Sequence, residues 1–549
     1  MEYSYIELNV LPVEILLHIF QNLNNTEILY SLHDVNQRLN QIIHHQMFTS
    51  HLTFAKWSSN DFLDLLSSDI MLNRFCLQIL PSIHDKVQQL DLNSSFIRHV
   101  LCAANYPNLH SLTLHNINEK SAEYLIDQTL SDIFKKQIRT LSITICDDYN
   151  DFHEMTRSVA KIFDKILNVF INLTSFVLND SWHKIRVQLT FHNPFFPNIR
   201  SSTLLKLINS VESINDCLHL LDGRYNQLHT FHVDLLDIAF PNRTINQGHL
   251  PNLKCFSLSC EDYTSCYEAG VLPLFRRMSN LEELTLCLTV YYRKEIIDGK
   301  HLKTNILKHM PQLNQFTFFI HSFFLANSLV RLSSSEDIQK TIIDFPNDNI
   351  ISYMNILPQT ERVQCHIYSY PFMMRYYTGI SNVFPGGLFE HVRSVSLIDE
   401  RPFQHEFFVR IQKSFPFMQE LSLVNYEAQN QTQSFQSNGD NGNLSVIEYT
   451  SLCKLYIDRA HDDYVEEFLV DTKTCLRNNI ILFVDYESLQ RVTHNFTRDA
   501  TRNNCDKITK LYLCDRKERS DGGGVVSPRS PDIASIPISS LYSVQPVEK

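Results

Sequence analysis

The chain has 549 residues and a net charge of -12 at pH 7, and 44% of its residues are hydrophobic. An acidic chain without a basic stripe is poorly suited to neutralise phosphates, which argues against nucleic-acid binding. Its thirteen cysteines suggest no disulfide framework, its first residues lack the features of a signal peptide, and no run of about 18 apolar residues indicates a membrane span. We therefore expect a cytoplasmic or nuclear protein with reduced cysteines and no membrane partner.

The first forty-odd residues predict three short amphipathic helices. Pro12 is expected at the start of the first helix, where its missing N–H costs nothing, and Glu14 follows in the first turn, where negative charge is favoured. The second helix is predicted to have Thr26 as its N-cap. The apolar side of the first helix consists of Ile15, Leu16, Ile19, Phe20 and Leu23, and that of the third consists of Val35, Leu39, Ile42 and Ile43. A segment of about forty residues buries only a small hydrophobic core by itself. These helices must therefore pack against another part of the chain or against a partner.

This segment resembles an F-box, the helical module that docks a protein onto the SKP adaptor of a cullin–RING ubiquitin ligase. The matching features are, in order, Leu11-Pro12-x-Glu14-Ile15-Leu16, Ile19-Phe20, Leu23, Leu32-x-x-Val35 and Arg38-Leu39. The resemblance implies an adaptor-binding surface made of Leu11, Pro12, Ile15, Leu16, Ile19, Phe20, Leu23, Val35 and Leu39. We expect the first six of these to be partly exposed in the isolated chain. The alternative is that the helices only cap a larger fold.

A second pattern recurs after residue 85. It consists of three apolar residues, of which the first and second are separated by any two residues and the second and third by any one residue. The pattern has a spacing of roughly 22 to 35 residues and often follows a lead-in such as YPNL, LPNL or MSNL. Its members are Val87/Leu90/Leu92, Leu109/Leu112/Leu114, Ile138/Leu141/Ile143, Leu173/Phe176/Leu178, Leu228/Phe231/Val233, Leu253/Phe256/Leu258, Leu281/Leu284/Leu286, Leu313/Phe316/Phe318, Val392/Val395/Leu397, Met418/Leu421/Leu423, Leu452/Leu455/Ile457, Ile481/Val484/Tyr486 and Ile508/Leu511/Leu513. Weaker matches, Ser202/Leu204, Ile338/Thr341/Ile343 and Val363/His366/Tyr368, fill two longer gaps.

The alternation predicts strands with one buried face, and the segments between them predict helices. Two such helices are expected at Ser121–Lys136, with Ser121 as the cap, and at His153–Asn172. This arrangement is typical of an irregular leucine-rich repeat, with one parallel sheet in sequence order. The structural alternative is a pair of doubly wound α/β domains. The low glycine content, 12 residues in 549, disfavours it, because nucleotide-binding turns need glycine.

The predicted fold is therefore an α/β leucine-rich-repeat solenoid preceded by a small all-α F-box. We expect the F-box at residues 1–46, a connecting or first-repeat segment at 47–86, irregular repeats at 87–515 and a disordered tail at 516–549. Gln429–Asn443 is polar and predicts a surface loop. The tail is rich in serine, proline and glycine, and its Ser527-Pro528 and Ser530-Pro531 pairs are candidate phosphorylation sites.

The sequence carries no motif of a known catalytic or nucleotide site. The His44-His45 pair lacks a second ligand pair, and Cys255, Cys260, Cys266 and Cys287 do not have zinc-ligand spacing. We therefore expect no cofactor, no metal and no enzymatic activity. An enzyme on an unrecognised α/β fold is the least favoured alternative.

Together these features predict a substrate-recruiting subunit of an SKP–cullin–F-box ubiquitin ligase. The F-box would bind the SKP adaptor, and the repeats would bind a client protein that the sequence does not identify. The alternative is a non-catalytic leucine-rich-repeat scaffold unconnected to ubiquitin. Because alternate residues of each strand face the concave side of the sheet, the aromatic residues Phe319, Tyr456 and Tyr512 are predicted to contact the client. Earlier strands place smaller polar residues there, such as Thr113 and His115, and Cys287 is expected on the same face.

Overall fold

The structure is a computed structural model of the chain and describes most of its residues. The described residues are 8, 11–54, 69–126, 132–145, 152–179, 189–191, 200–240, 248–291, 296–325, 335–342, 345, 349–372, 374–429, 445–514 and 535–536. The chain forms two units. The first comprises Met1–Leu258, Pro273–Glu283 and Met310–Gln312, and the second comprises Ser259–Leu272, Leu284–His309 and Leu313–Lys549.

Short helices precede and separate most of the strands. In chain order they are α1 Val13–Phe20, α2 Asn25–Leu32, α3 Gln37–Ile43, α4 Gln46–Thr49, α5 Asp69–Arg74, α6 Leu80–Ile83, α7 Ile97–Ala103, α8 Glu119–Ile126, α9 Asp132–Gln137, α10 Phe152–Val169, α11 Ile214–Leu220, α12 Leu272–Phe275, α13 Gly299–Asn305, α14 Ser335–Ile342, α15 His405–Ser414, α16 Asp462–Leu469, α17 Tyr486–Val492 and α18 Arg502–Cys505. Single π-helical turns occur at Phe75–Ile79 and Tyr267–Val271, and 3₁₀ turns occur at Leu307–His309 and Asp499–Thr501.

The strands belong to a twelve-stranded sheet, a seven-stranded sheet and a two-stranded ladder. They are β1 His51–Phe54, β2 Gln89–Asn93, β3 Ser111–Ile117, β4 Thr140–Ile145, β5 Ser175–Asn179, β6 Lys206–Ser213, β7 Thr230–Asp237, β8 Cys255–Thr264, β9 Glu283–Tyr291, β10 Gln315–Leu325, β11 Ile350–Leu357, β12 Arg362–Ser369, β13 Tyr376–Ile380, β14 Ser394–Ile398, β15 Glu420–Asn425, β16 Ile447–Tyr449, β17 Lys454–Ala460, β18 Thr474–Leu476, β19 Ile480–Asp485, β20 Ile508–Cys514 and β21 Ser535–Ile536. The protein is thus a mixed α/β protein with a large, mostly parallel sheet.

In the first unit, strands β1 to β7 are parallel and lie side by side in sequence order. The same backbone contact recurs where each strand begins: one carbonyl accepts hydrogen bonds from two successive N–H groups of the next strand. The carbonyl of Gln88, for example, accepts from His110 and Ser111. The accepting residues are Ser50, Gln88, His110, Arg139, Thr174, Leu205, His229 and Lys254. These contacts fix the position of each strand on the one before it.

The asparagine of the lead-in motifs makes a second recurring contact. In the YPNL and LPNL segments, the side-chain amides of Asn108 and Asn252 donate to the carbonyls of Asp85 and Asn226 in the preceding turn. Equivalent bonds join Asn172 to Lys136, Asn280 to Pro251 and Asn478 to Thr450. The asparagine of the lead-in therefore has a structural role of its own, in addition to that of the buried leucine. Its amide donates a hydrogen bond to a turn carbonyl, which lies outside the helices and strands that pair most backbone groups.

The second unit contains an antiparallel group followed by a parallel sheet. Strand β12 pairs antiparallel with both β10 and β11. Strands β13, β14, β15, β17, β19 and β20 are parallel and follow sequence order, and β21 pairs antiparallel with β20. Strands β16 and β18 form the separate parallel ladder. The shared strand-start carbonyl recurs here at Arg375, Arg393 and Gln419.

The expectation of one parallel sheet in sequence order is wrong in two respects. The strands divide between two large sheets, and β11 and β12 form an antiparallel hairpin. Only four residues, 358–361, connect these two strands, and the last of them, Glu361, has a φ of 52°. A connection this short permits only antiparallel pairing, because a parallel crossover needs a dozen residues or so.

Some of the predicted elements also differ from the structure. The segment around Ile338 was predicted as a strand, but it lies in α14, where Ile338 and Ile342 are one helical turn apart and both buried. Within Ser121–Lys136 the structure describes helix α8 up to Ile126 and helix α9 from Asp132, and residues 127–131 lie outside the described residues. Asn118, rather than Ser121, caps α8. The helix expected at His153–Asn172 is confirmed as α10. Most of the loop predicted at Gln429–Asn443 and of the tail predicted at 516–549 lies outside the described residues.

Six of the predicted core positions are confirmed here. Val87, Leu90, Leu281, Leu284, Met418 and Leu421 are all buried. The cysteines described with their side chains are free thiols, and most are buried or half-buried, whereas Cys102 is exposed. Burial of one strand face against the helices therefore supplies the driving force for both units.

Leu141 and Ser142 offer a direct test of this alternation, because they are neighbours on β4 and face opposite sides. Leu141 is fully buried, whereas Ser142 is half-buried. We expect Leu141→Asp to lower the free energy of unfolding by about 4 kcal/mol or more, because it buries an unpaired carboxylate. Ser142→Asp should cost about 1 kcal/mol or less. Urea unfolding followed by circular dichroism measures both changes, and equal losses would contradict the assigned strand faces.

Candidate partner-binding surfaces

The first candidate surface lies on the N-terminal helices. Helix α1 begins directly after Pro12, with Glu14 in its first turn. Its inner side is formed by Leu16 and Phe20, which are buried, and the Phe20 ring packs edge-on against Phe48 with the ring centroids 6.1 Å apart. This packing fixes which side of α1 faces solvent.

The outer side of these helices carries large apolar side chains that the rest of the chain does not cover. Ile15 and Ile19, one helical turn apart, are 47% and 39% exposed. Leu23 follows at 51%, and Val35, just before α3, is 58% exposed. A shallow depression of about 570 Å³, lined by Asn36, Gln37, Arg38 and Gln41, lies beside Val35 in the sequence. Single exposed apolar residues are ordinary, but several in one short segment mark an interaction site.

Side-chain hydrogen bonds hold the three helices in place. Asn24 caps α2 by accepting from the N–H of Thr26, and Asn36 caps α3 by accepting from the N–H of Leu39. The predicted cap of α2, Thr26, is therefore wrong by two residues. The Arg38 guanidinium donates to the carbonyl of Leu11 over 2.6 Å, which joins α3 to the start of α1.

The same helices are also bonded to the first strand. The hydroxyl of Thr26 donates to the carbonyl of Thr53 over 2.8 Å, and the amide of Asn25 donates to the carbonyl of His51 over 3.0 Å. Strand β1 in turn pairs with β2. The exposed apolar residues are thus presented at a fixed orientation to the first strands of the sheet.

The structure divides the residues predicted to bind the adaptor into two groups. Pro12, Ile15, Ile19, Leu23 and Val35 are exposed and Leu11 is half-buried. The expectation of partial exposure is wrong for Leu16 and Phe20, and Leu39 is also buried. The reason is geometric: residues 16 and 20 lie about 100° around the helix from residues 15 and 19, so only one of these pairs can face solvent.

The second candidate surface is an aromatic ladder on the parallel sheet of the second unit. Tyr456, Phe483 and Tyr512 occupy register positions on β17, β19 and β20 and are all half-buried. The ring centroids of Tyr456 and Phe483 are 4.2 Å apart with an angle of 16° between the planes, and those of Phe483 and Tyr512 are 4.5 Å apart with an angle of 9°. The ladder ends at β15, where the register partner of Tyr456 is Ser422.

Charged residues border the ladder on the same sheet face. Towards the amino ends of the strands lie Lys454 and the exposed Lys510, with Ile481 between them, and Lys454 forms an ion pair with Glu420. Towards the carboxyl ends lie Asp458 and Asp485. Burial raises the pKa of the Asp458 carboxyl, and the charge of Asp485 raises it further. The exposed Arg459 lies 3.9 Å from the Asp458 carboxylate.

The three residues predicted to bind the client have different outcomes. Tyr456 and Tyr512 are partly exposed, as the prediction requires. The prediction is wrong for Phe319, which is 1% exposed, because the rings of Tyr368 and Tyr377 pack on it from β12 and β13. Cys287, expected on the same face, is buried as well.

Sequence analysis missed Phe483 because it matched the strand two residues too far along the chain, at Val484 and Tyr486. The pattern Ile481/Val484/Tyr486 is right for Val484, which is buried, and wrong for Ile481, which is half-buried, and for Tyr486, which is exposed at the start of α17. Strand β19 instead buries Ile480, Leu482 and Val484, which leaves Phe483 on the ladder face. The observed buried pair, Leu482 and Val484, does not fit the pattern because Asn479, three residues before Leu482, is polar, so the match fell two residues later.

A polar cluster occupies the corresponding sheet face of the first unit. The imidazole of His115 lies 2.5 Å from the Asp91 carboxylate, and its other nitrogen lies 3.3 Å from the hydroxyl of Thr144. Thr113 and Ser142 are half-buried register partners nearby. At these described positions the face of the first unit is polar, whereas the stacked rings of Tyr456, Phe483 and Tyr512 lie on the face of the second unit.

The second unit also contains a buried pair of histidines. His321 and His366 stack with their ring centroids 4.1 Å apart and an angle of 5° between the planes. Nε2 of His366 donates to the carbonyl of Thr378 over 3.0 Å, while Nε2 of His321 and Nδ1 of His366 have no hydrogen-bond partner. Burial lowers the pKa of both imidazoles, that of His366 to about 4, so both rings are neutral at pH 7.

This pair is enclosed by protein on all sides. Gly379 has a φ of 72°, and a Cβ at that position would collide with the His321 ring. The hydroxyls of Tyr353 and Tyr377, two further buried residues, lie 2.9 Å apart beside the pair. In the described part of the chain, no group of three or more histidine, cysteine, aspartate or glutamate side chains is placed to hold a metal ion. The buried histidines therefore contribute to packing and offer no route to a substrate.

No protein-family model matches the sequence, and no curated protein is significantly similar to it. Among the helices that the structure describes, none has the length and apolarity needed to cross a bilayer. The two surfaces must therefore be interpreted from their own chemistry.

The buried histidines predict how stability depends on pH. Their pKa values are lower in the folded than in the unfolded chain, where imidazole titrates near 6.5, so their contribution to stability is complete above pH 6.5 and is lost as the pH falls towards 4. For His366 the full loss is about 3 kcal/mol. We expect His366→Phe to flatten the decline between pH 6.5 and 4.5, as measured by urea unfolding at each pH. Replacing the exposed His391 by Phe should leave the decline unchanged, and an equally steep decline in both variants would contradict the assignment.

Proposed function

We propose that this protein is a substrate-recruiting subunit of an SKP–cullin–F-box ubiquitin ligase. The N-terminal helices are proposed to be the F-box that binds the SKP adaptor. The rest of the chain is proposed to form an irregular leucine-rich-repeat solenoid that binds a client protein. In this proposal the chain supplies no chemistry and acts by bringing the client close to a ubiquitin-loaded enzyme.

The observation that carries this proposal is the uncovered apolar surface of α1 and the segment before α3. Ile15, Ile19, Leu23 and Val35 are each more than a third exposed, although the same helices bury Leu16, Phe20 and Leu39. Aliphatic side chains of this size gain most when a partner removes them from water. Their positions coincide with the residues by which this segment resembles an F-box.

The way the helices are attached supports the same role. The hydrogen bonds from Thr26 and Asn25 to β1 mean that a partner bound to α1 would have a defined orientation relative to the first strands. A recruiting subunit needs such rigidity, because ubiquitin transfer requires the client to be held within reach of the enzyme. The recurring strand-start carbonyls and lead-in asparagines support the solenoid part of the proposal, since they repeat with the period of the sequence pattern.

A paired substitution tests the adaptor surface. We expect Ile15→Asp combined with Ile19→Asp to weaken binding of the purified SKP adaptor by about a hundredfold or more, because two anchors are replaced by charges that the interface would desolvate. Both side chains face solvent in the isolated chain, so the thermal midpoint should change little. Isothermal titration calorimetry measures the binding constant.

Ile171→Asp is the matched control for these substitutions. Ile171 is 53% exposed and belongs to a turn of the first unit, so the same substitution there should leave adaptor binding unchanged. Adaptor binding by the Ile15→Asp, Ile19→Asp variant that is as tight as that of the parent would refute the F-box proposal. Equal losses in the control would show a non-specific effect of added charge and would refute it as well.

A further inference from the structure

The two large sheets have four outer strands in the described part of the chain, β1, β11, β13 and β21, and the edge of β1 is covered. The hydroxyl of Thr26 in α2 donates to the carbonyl of Thr53 and accepts from its N–H. The amide of Asn25 donates to the carbonyl of His51. Side chains of α2 therefore take the place that another strand would occupy beside β1.

The edges of β13 and β21 are also protected. The pairing of β13 with β14 shifts after Tyr377, and the carbonyl of Thr378 accepts a hydrogen bond from His366. Strand β21 pairs with β20 and has only two residues, Ser535 and Ile536. Short, irregular or covered edges are the ordinary means by which folded proteins prevent further strand pairing.

Strand β11 has none of these protections. It is eight residues long, contains no charged residue, proline or glycine, and pairs with β12 without a shift from Ile350 to Leu357. On its other side, no backbone hydrogen bond from the described part of the chain reaches it. Five of its eight residues are at least partly exposed, whereas seven of the eight in β12 are buried, so the outer edge of β11 faces solvent. A row of unpaired N–H and C=O groups of this length is a template for one more strand.

The side chains of β11 indicate which sequence would fit beside it. One face of the strand carries Ile350, Met354 and Ile356, of which Ile356 is 45% exposed. On the opposite face, Tyr353 and Asn355 are buried. An added strand would place alternate side chains next to the exposed aliphatic residues, where β-branched apolar residues pair best. A charged residue there would lose water without gaining a partner.

A second copy of this chain is a poor occupant of the edge. Eight residues span about 27 Å and a sheet is about 10 Å thick, so two such edges would bury roughly 500 Å² in total. Stable complexes of folded proteins bury about 1,200 Å² or more. Each copy also carries a net charge of -12, which opposes self-association. An extended segment of another protein needs no such large surface, since its backbone hydrogen bonds supply affinity.

We propose that β11 binds an extended, uncharged segment of the client as an additional strand of the sheet. The segment has valine or isoleucine at alternate positions and no proline. That it belongs to the client rests on the proposed function, whereas the addition of a strand to β11 does not. The inference deepens that function, because it names the chemistry by which the second unit recruits its client.

A synthetic peptide labelled with fluorescein provides the test, with binding to the full chain measured by fluorescence polarisation. The probe is Lys-Val-Thr-Val-Thr-Val-Lys, whose alternation is the same in either chain direction. One control has methyl groups on the backbone nitrogens of the five inner residues, and the other, Lys-Val-Val-Val-Thr-Thr-Lys, has the same composition without alternation. The probe should bind about tenfold tighter than either control, because only the probe combines backbone donors with valines on one face.

Hydrogen exchange locates the bound peptide without any change to the protein. A saturating concentration of the probe should slow amide exchange across residues 350–357, because N–H groups on the outer side of β11 gain partners. Exchange in β13 and β20 should stay unchanged, since the edges of these strands are already occupied.

A matched pair of variants tests the same placement. We expect Ile356→Lys to weaken binding of the probe about tenfold, because a charge replaces an apolar contact beside the added strand. Ile171→Lys makes the same change at an exposed isoleucine of the first unit and should leave binding unchanged. The Ile15→Asp, Ile19→Asp variant should bind the probe as the parent does, so failure of the adaptor proposal and failure of this one are distinguishable.

Four results would overturn the inference. The first is that either control peptide, or the chain with Ile356→Lys, shows the same affinity as the parent pair. The second is unchanged exchange across residues 350–357 at saturating probe. The third is a dimer of the chain alone in sedimentation that Ile356→Lys dissociates, since a second copy would then be the occupant. The fourth is that binding requires removal of residues 516–549, which would make the chain's own end the occupant.

Discussion

One backbone contact recurs between the neighbouring strands from β1 to β9 and between β13, β14, β15 and β17: a carbonyl at the start of one strand accepts hydrogen bonds from two successive N–H groups at the start of the next. This contact joins His110 to Arg139 and Thr140 in the first unit, and Arg393 to Gln419 and Glu420 in the second. It sets the register of the parallel strands, and register decides which side chains are buried, because a shift of one residue exchanges the two faces of a strand. The buried leucines stabilise the arrangement, but they do not by themselves select it.

Strand register also positions both candidate surfaces. The aromatic ladder exists because Tyr456, Phe483 and Tyr512 occupy equal register positions on three parallel strands, which places the rings at strand spacing. The N-terminal helices keep their orientation because β1, to which Thr26 and Asn25 are bonded, is itself fixed to β2 by the same carbonyl contact at Ser50. A partner bound to either surface would therefore meet a preorganised surface, which reduces the entropic cost of binding.

Sequence analysis predicted the strand positions well where the apolar pattern and a lead-in motif occurred together. The role of the asparagine in the lead-in motif could not be predicted from the sequence. The hydrogen bond from the Asn108 amide to the Asp85 carbonyl joins residues that are far apart in the chain. The match to β19 fell two residues too far along the chain, because Asn479 breaks the apolar pattern before the observed buried pair, Leu482 and Val484. The burial of Phe319 has a different cause: it depends on Tyr368 and Tyr377, which reach it from other strands. Helix α1 was predicted as one apolar stripe, and its division into a buried pair and an exposed pair required the position of Phe48.

The central claim is that the N-terminal helices are the docking site for an SKP adaptor, and hydrogen exchange tests it most directly. Amide exchange of the full chain would be followed by mass spectrometry with and without a saturating concentration of purified SKP adaptor. The proposal predicts that the adaptor slows exchange in peptides spanning residues 11–43 and leaves the strands of the second unit unchanged. Unchanged exchange across residues 11–43, or protection confined to other parts of the chain, would contradict it.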